Sequence, residues 1–238
     1  MEFRREFTPE PFDVKIKHTD RIMLIGSCFT EQMGSKLARV KFLTHENPNG
    51  ILFNPASIIK SIDSYLDEKV NRSDDLFEHN GIWGSWDHHT RFSDVNQDEA
   101  LRKINSAREN ATAFIKQTDW LILTLGSAFL YEHNNGSFVA NCHKVPTDRF
   151  VKRLMTCDEI TSNVNDLILR LKKVNPKLKV LFTISPVRHL REGFVENNRS
   201  KSMLIQSVHQ LTEMHNDVHY FPAYELVIDD LRDYRFYA

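Results

Sequence analysis

Apolar positions along the chain follow two periods. Near-continuous apolar runs at residues 22–25, 120–125 and 180–184 have the character of strands buried on both faces, as a parallel sheet requires. Shorter runs at 41–44 and 218–221 predict two more strands. Between them apolar residues recur at helical spacing: Phe29, Met33 and Leu37; then Ile58, Ile62 and Tyr65; Leu101, Ile104, Ala111 and Ile115; Ile160, Val164, Leu167 and Leu171; Leu204, Val208 and Leu211. Leu226, Val227 and Leu231 predict a last short helix. Start signals fit these phases. Asn54 stands before Pro55, Ser93 or Asp94 before the third helix, and Thr156-x-x-Glu159 reads as a capping box.

Strand and helix alternate through one continuous pattern, which predicts a single α/β domain over residues 1–238. Residues 1–20, with Pro9 and Pro11, read as an extended lead-in over the sheet edge. Residues 71–93 interrupt the alternation as an aromatic, His-rich insertion. Asn80-Gly81 predicts a type I′ hairpin turn there, and Asn135-Gly136 predicts a second hairpin on the carboxyl side of the sheet.

Composition narrows the function. The chain is 41% hydrophobic and 26% charged, ordinary for a globular domain of 238 residues. Lys+Arg 31 against Asp+Glu 32 gives a net charge of -1, so no polyanion-binding bias exists and nucleic acid is not an expected partner. Cys28, Cys142 and Cys157 are odd in number and lack C-x-x-C spacing, which speaks against a disulfide framework or thiolate zinc site. No apolar run reaches membrane-spanning length and the first residues lack a signal-peptide core, so a cytoplasmic protein is expected, unless a leader has been removed. Oligomeric state is not readable. No cofactor or metal is expected: G-x-G-x-x-G and the Walker A lysine motif are absent, and adjacent His88 and His89 diverge on any regular element.

The stretch that organises the chain is Gly26-Ser27-Cys28-Phe29-Thr30. In open α/β sheets chemistry sits at the carboxyl ends of strands. Two nucleophile types, Ser27 and Cys28, stand there beside a helix start whose N–H groups and partial positive charge stabilise an alkoxide, thiolate or oxyanion. Alternatively Ser27 only caps the helix and Cys28 is a small buried hydrophobe. Gly50, in the Asn-Pro-rich loop from Asn47 to Pro55, is a place where a backbone N–H approaches a ligand. Ala140-Asn141-Cys142-His143-Lys144 gathers polar and reactive side chains over the same edge. His189, after the fourth strand, is a candidate base.

Gly26-Ser27-Cys28-Phe29-Thr30 resembles the signature of the GSCFA family, which is grouped with the SGNH (GDSL-type) hydrolases. Asn47–Pro55, Thr124-Leu125-Gly126-Ser127-Ala128, Ala140–Pro146 and Thr183–His189 resemble further motifs of that family, so the likeness spans most of the chain. The resemblance implies a three-layer α/β/α sandwich with a mainly parallel five-stranded sheet, flavodoxin-like, plus small β-hairpin insertions. It also implies ester hydrolysis or acyl transfer through a covalent acyl-enzyme on a small-molecule or carbohydrate ester, for which Trp83 and Trp86 offer stacking surfaces. Alignment by residue type makes Ser27 the nucleophile, the reading preferred here, and alignment by position makes it Cys28. Gly26, Gly50, Asn47, Gly126, Asn141 and His143 are then the oxyanion and substrate-binding candidates. The hydrolase G-x-N-D block reads Gly126-Ser127-Ala128-Phe129, without its Asn, so Asn141 or Asn47 is expected to replace it. No D-x-x-H occurs, so the chain is expected to be a C-terminally truncated piece whose general base and orienting acid lie past Ala238. A ligand-binding module without catalysis, on the same scaffold, is the alternative.

Overall fold

The computed structural model describes residues 4, 6–133 and 136–237. Five strands, β1 (Arg21–Gly26), β2 (Leu43–Glu46), β5 (Trp120–Leu125), β9 (Lys179–Ile184) and β10 (Val218–Tyr220), form one sheet in the order β10-β9-β5-β1-β2, with every pairing parallel. In order of appearance these strands run 2-1-3-4-5. That is the doubly wound arrangement with its switch point between β1 and β5, where crossovers diverge and leave a crevice at the strand ends.

Strand parity sorts the two faces. Met23, Ile25, Leu121, Leu123, Leu125, Phe182 and Ile184 point into the larger core, under α2 (Pro55–Leu66), α3 (Gln97–Ile115), α4 (Cys157–Val174) and α5 (Gly193–Met214). Ile22, Leu24, Trp120 and Leu181 face the other way, under α1 (Cys28–Arg39) and the lead-in residues Phe12 and Ile16. The lead-in therefore crosses the sheet's second face, where an apolar surface needs cover, rather than lying over its edge; residues 1–3 and 5 of it lie outside the described residues.

The helix starts follow local chemistry. Asn54 accepts from the Ser57 N–H at 2.8 Å with Pro55 in the first turn. The third helix is capped by Asn96, accepting from Glu99 N at 3.1 Å, instead of Ser93 or Asp94; Asp94 is taken by Lys103 and by a bridge to Trp83. The capping box is half formed. Thr156 accepts from Glu159 N, while the Glu159 carboxylate pairs with Arg153 at 2.8 Å through both oxygens. In α1 the stripe Phe29, Met33, Leu37 is only partly inward, because Met33 is 37% exposed and the buried positions are Thr30 and Gly34. Small residues there let α1 settle onto β2, since a Cβ on Gly34 would stand 2.0 Å from Glu46 Oε2. The second strand lies two residues later than its apolar run suggested.

Two small antiparallel units stand beside the main sheet. A hairpin of β3 (Phe77–His79) and β4 (Ile82–Gly84) has Asn80 and Gly81 at φ 53 and 76, as a type I′ turn demands. The second hairpin, β6 (Phe129–His133) with β7 (Phe138–Val139), gains a third antiparallel strand, β8 (Phe150–Leu154). Asn134 and Asn135 of its turn lie outside the described residues. The two units share a satellite core: Trp86 stacks on Phe77 at 3.6 Å, meets Phe150 edge-on at 5.8 Å, and its carbonyl accepts from Ala140 N at 2.8 Å. A short helical segment, α6 (Ala223–Glu225), follows β10. Among the described residues no helix is long and apolar enough to cross a membrane.

Candidate active site

The carboxyl ends of β1 and β5 meet at one rung, where Gly26 pairs with Thr124. Gly26 holds φ +152, and a Cβ there would stand 2.2 Å from the Thr124 carbonyl oxygen, so the strand turns into α1 in space that no side chain can share. Its N–H donates to Asn47 Oδ1 at 2.8 Å and its carbonyl accepts from Leu52 N at 3.0 Å. One residue further, Phe53 O accepts from both Gly126 N (2.8 Å) and Ser127 N (2.9 Å). The loop that carries two Asn-Pro pairs is thus a strap laid across the strand ends.

Ser27 and Cys28 are separated by this turn. Ser27 is the N-cap residue but its hydroxyl caps nothing; the side chain is fully buried and its Oγ has no hydrogen-bond partner among the described residues. Cys28, the first residue of α1, is partly exposed and carries a free thiol. Because Ser27 leaves the helix uncapped, the Cys28 and Phe29 N–H groups make no hydrogen bond among the described residues. Those two donors and the helix dipole are what the rim offers a developing negative charge.

The other candidates divide into two groups. Asn47, Gly50, Gly126 and His189 lie around the strand ends. Asn47, at φ 42, is buried with its amide turned inward, Oδ1 on Gly26 and Nδ2 toward Glu31 at 3.4 Å. Gly50 donates its N–H to Asn47 O at 2.8 Å, and its missing side chain makes room for His89, whose Cβ would lie 2.2 Å from a Cβ at Gly50. The N–H groups of Gly50 and Gly126 and the Asn47 Oδ1 are thus engaged in holding the strap to the strand ends. His189 does stand at the rim: its Nε2 is 3.4 Å from where a Cβ of Gly126 would be, its ring meets Phe53 edge-on at 5.1 Å, and its N–H donates to Asn197 Oδ1 at 2.9 Å.

Asn141 and His143 belong to the satellite core. Asn141 Oδ1 accepts from His143 N at 2.9 Å, and His143 Nε2 bonds Ser85 O at 2.8 Å with its ring against Phe77. Burial holds the His143 imidazole below its ordinary range. Neither makes a hydrogen bond to the Gly26–Cys28 turn among the described residues. Burial also pushes the Cys142 thiol up, against the pull of the Arg191 charge.

His88 is the polar group at the heart of the insertion. It is almost wholly buried, bonds Ser85 Oγ at 2.9 Å, and is brought down to about 3, first by burial and then by the charge of His143. The unfolded chain takes up a proton near its ordinary 6.5 while the folded chain does not, so stability falls as pH drops from 6.5 toward 3. A red-shift of tryptophan emission across that window, before global unfolding, is the expected signal; a His88→Asn chain should lack it.

Sequence reasoning missed two residues. Arg91 ties the insertion to the strap, donating to Asn47 O and to Glu31 Oε1 (2.8 Å). Lys201, 1% exposed, donates from Nζ to Gly126 O at 2.7 Å and Ser185 O at 2.6 Å, clamping the ends of β5 and β9. Its phase was the available signal, since 197, 201, 204, 208 and 211 form one buried stripe of α5. Among the described residues no group of three His, Cys, Asp or Glu is placed to hold a metal.

A doubly wound α/β domain with a thiol at the first turn of its first helix, at the switch point, defines the class. The family follows: the GSCFA family model matches residues 21–238, and the chain belongs to that family. No curated protein sequence matches the chain. Among solved structures it is similar to an acetyl xylan esterase (Est2A) from the rumen bacterium Butyrivibrio proteoclasticus, at 13% identity and a TM-score of 0.41. The match covers 91% of this chain and 57% of that chain.

Proposed function

We propose that this domain performs acyl transfer from an ester, to water or to a second alcohol, through a covalent acyl-enzyme, in the manner of an SGNH-type hydrolase. The observation that carries the reading is the accessible Cys28 thiol at the uncapped start of α1, at the sheet's switch point. Cys28 is taken as the attacking atom in place of Ser27, whose hydroxyl is sealed at 0% exposure. The Cys28 S–H proton passes to His189 at the rim as the sulfur attacks the ester carbonyl, the Cys28 and Phe29 N–H groups receive the oxyanion, and the same proton returns to the departing alkoxide, which leaves as the alcohol. A thioester on Cys28 results, which the acceptor then cleaves. Trp86 is stacked into the satellite core and Trp83 packs on Leu76, Ala100 and Ile104, so the carbohydrate part of the substrate reading has no support from these two rings.

Mixing the protein with p-nitrophenyl acetate tests this. A burst of one nitrophenolate per chain is expected, lost in Cys28→Ala and kept in Ser27→Ala; the reverse pattern makes Ser27 the nucleophile. The second reading, a binding module without chemistry, is favoured by the engagement of Asn47, Gly50 and Gly126 in the strap. It expects no burst from any variant.

A further inference from the structure

The small sheet of the insertion has an outer face that the reaction just described does not use. Register sets that face: Phe77 pairs with Gly84 and His79 with Ile82 across the hairpin, and the bridge of Trp83 to Asp94 brings Ser93 beside Gly84 and Val95 beside Ile82. Side chains alternate along a strand, so Trp83 turns toward α3, where it packs on Leu76, Ala100 and Ile104, and its neighbours turn the other way. On that side lies a groove of about 580 Å³ whose lining includes Phe77, Ile82, Gly84, Ser93, Val95 and His143.

The groove has an apolar floor and one polar point. Trp86 lies parallel to Phe77 at 3.6 Å, while His143 stands 5.1 Å from Phe77 and 6.0 Å from Trp86. A ring over the outer face of Phe77 would be much farther from Trp86 than that, so His143 sits beside the stacked pair and leaves that face to the groove. Ile82 and Val95, 48% and 76% exposed, continue the apolar surface. Above Gly84 two polar atoms converge: a Cβ there would stand 3.0 Å from Ser93 Oγ and 3.4 Å from His143 Nδ1. Ser93 Oγ makes no hydrogen bond among the described residues. His143 gives its Nε2–H to Ser85 O, so in the neutral ring Nδ1 carries a lone pair. The loop that presents it passes through two left-handed residues, His143 at φ 48 and Lys144 at φ 61, and is braced by Asn141 Oδ1 on His143 N.

We propose that this groove binds a pyranose ring, with a C–H face of the sugar against Phe77 and one hydroxyl above Gly84 that donates to His143 Nδ1 and accepts from Ser93 Oγ. A nitrogen lone pair takes an O–H and repels a carboxylate or phosphate oxygen, which selects a neutral alcohol. Between Phe77, Ile82 and Val95 that alcohol has to offer an apolar face as well. Thr90 and Asn80 at the edge of the groove meet the further hydroxyls that a sugar carries and a phenol lacks. The site stands on its own geometry and needs no chemistry at Cys28.

Saturation-transfer NMR with methyl β-D-glucopyranoside and cellobiose, set against p-cresol and benzoate, tests it. Both sugars are expected to bind with dissociation constants of about 1–10 mM and to receive saturation most strongly on the axial C–H protons of one ring face. Ser93→Ala should weaken sugar binding about tenfold, the loss of one hydrogen bond, and Val95→Asp should weaken it at least as much by charging the apolar wall. Val95 is 76% exposed, so Val95→Asp keeps the test decisive should Ser93→Ala fail to fold. No saturation of either sugar up to about 20 mM, undiminished binding in both variants, or preference for p-cresol or benzoate over the sugars would each overturn the proposal. A missing ester burst with variant-sensitive sugar binding rejects the acyl transfer and keeps the groove; a burst without sugar binding does the opposite.

Discussion

Gly26→Ala is expected to be the most damaging single-methyl change in the chain, lowering unfolding free energy by ~3–5 kcal/mol in urea titrations. The added carbon would stand 2.2 Å from Thr124 O and 2.8 Å from Thr30 Oγ1, on a backbone at φ +152. Neither β1 nor β5 can retreat, because Gly26 N and O are both bonded to the strap and the Thr124 rung continues through Thr183 of β9. Gly81→Ala is the matched comparison. It also has positive φ, at +76, but a Cβ there meets nothing within 4 Å, so only the conformational term of ~1 kcal/mol applies. Equal losses at the two sites would show that backbone conformation, and not the closeness of β1 to β5, sets the cost.

The second large effect is a rise of stability with alkalinity. The unfolded chain holds a proton on Lys201 up to its ordinary 10.5, whereas the folded chain releases it near 7. Below about pH 7 both states are protonated and the slope from this group is zero. Between about 7 and 10 the unfolded state binds more protons, so folding stability increases with pH, by up to ~5 kcal/mol over the full interval. Above about pH 10 the trend reverses, because burial raises Tyr65 and Tyr220 and the unfolded chain then ionises first. Urea unfolding at several pH values between 7 and 10 should show the climb in the wild type and lose most of it in Lys201→Met. A flat wild-type profile would mean that Lys201 remains an ammonium, held by its two carbonyls.

The parts of the fold that sequence revealed are those where burial leaves no choice. β1, β5 and β9 are covered on both faces, so their apolar runs mark them without ambiguity, and α2 and α4 carry single, well-spaced caps. Where burial is partial the signal weakens. Edge strand β2 is half-buried and includes His45 and Glu46, which shifts it from its apolar run. β8 reads Phe-Val-Lys-Arg-Leu and becomes a strand through β6, a neighbour seventeen or more residues away in sequence that no local pattern reveals. Three cap-capable residues precede α3, and ion pairing of Asp94 decides for Asn96.

The residues of the candidate site divide in the same way. Gly26, Ser27 and Cys28 are placed by a strand that stops and a helix that starts, but which side chain is sealed depends on the turn's dihedral angles. Asn47, Gly50 and Gly126 carry donors suited to an oxyanion, and tertiary hydrogen bonding turns the Gly50 and Gly126 N–H groups onto the strap's own carbonyls and the Asn47 amide toward Glu31. Asn141 and His143 follow the aromatic core, because Trp86 and Phe77 need cover more than the strand ends need polar groups. Lys201 escaped notice because a lysine within a helix normally faces water, and only its phase with Leu204, Val208 and Leu211 contradicts that.

The measurement that bears most directly on Cys28 as the site of chemistry is peptide mapping of the protein after brief exposure to p-nitrophenyl acetate at neutral pH. An acetyl group on the peptide containing Cys28, removed by hydroxylamine and absent when the chain is first unfolded in urea, is the expected result. Acetylation confined to Cys142 or Cys157, or acetylation at Cys28 that survives unfolding at the same rate, would contradict it.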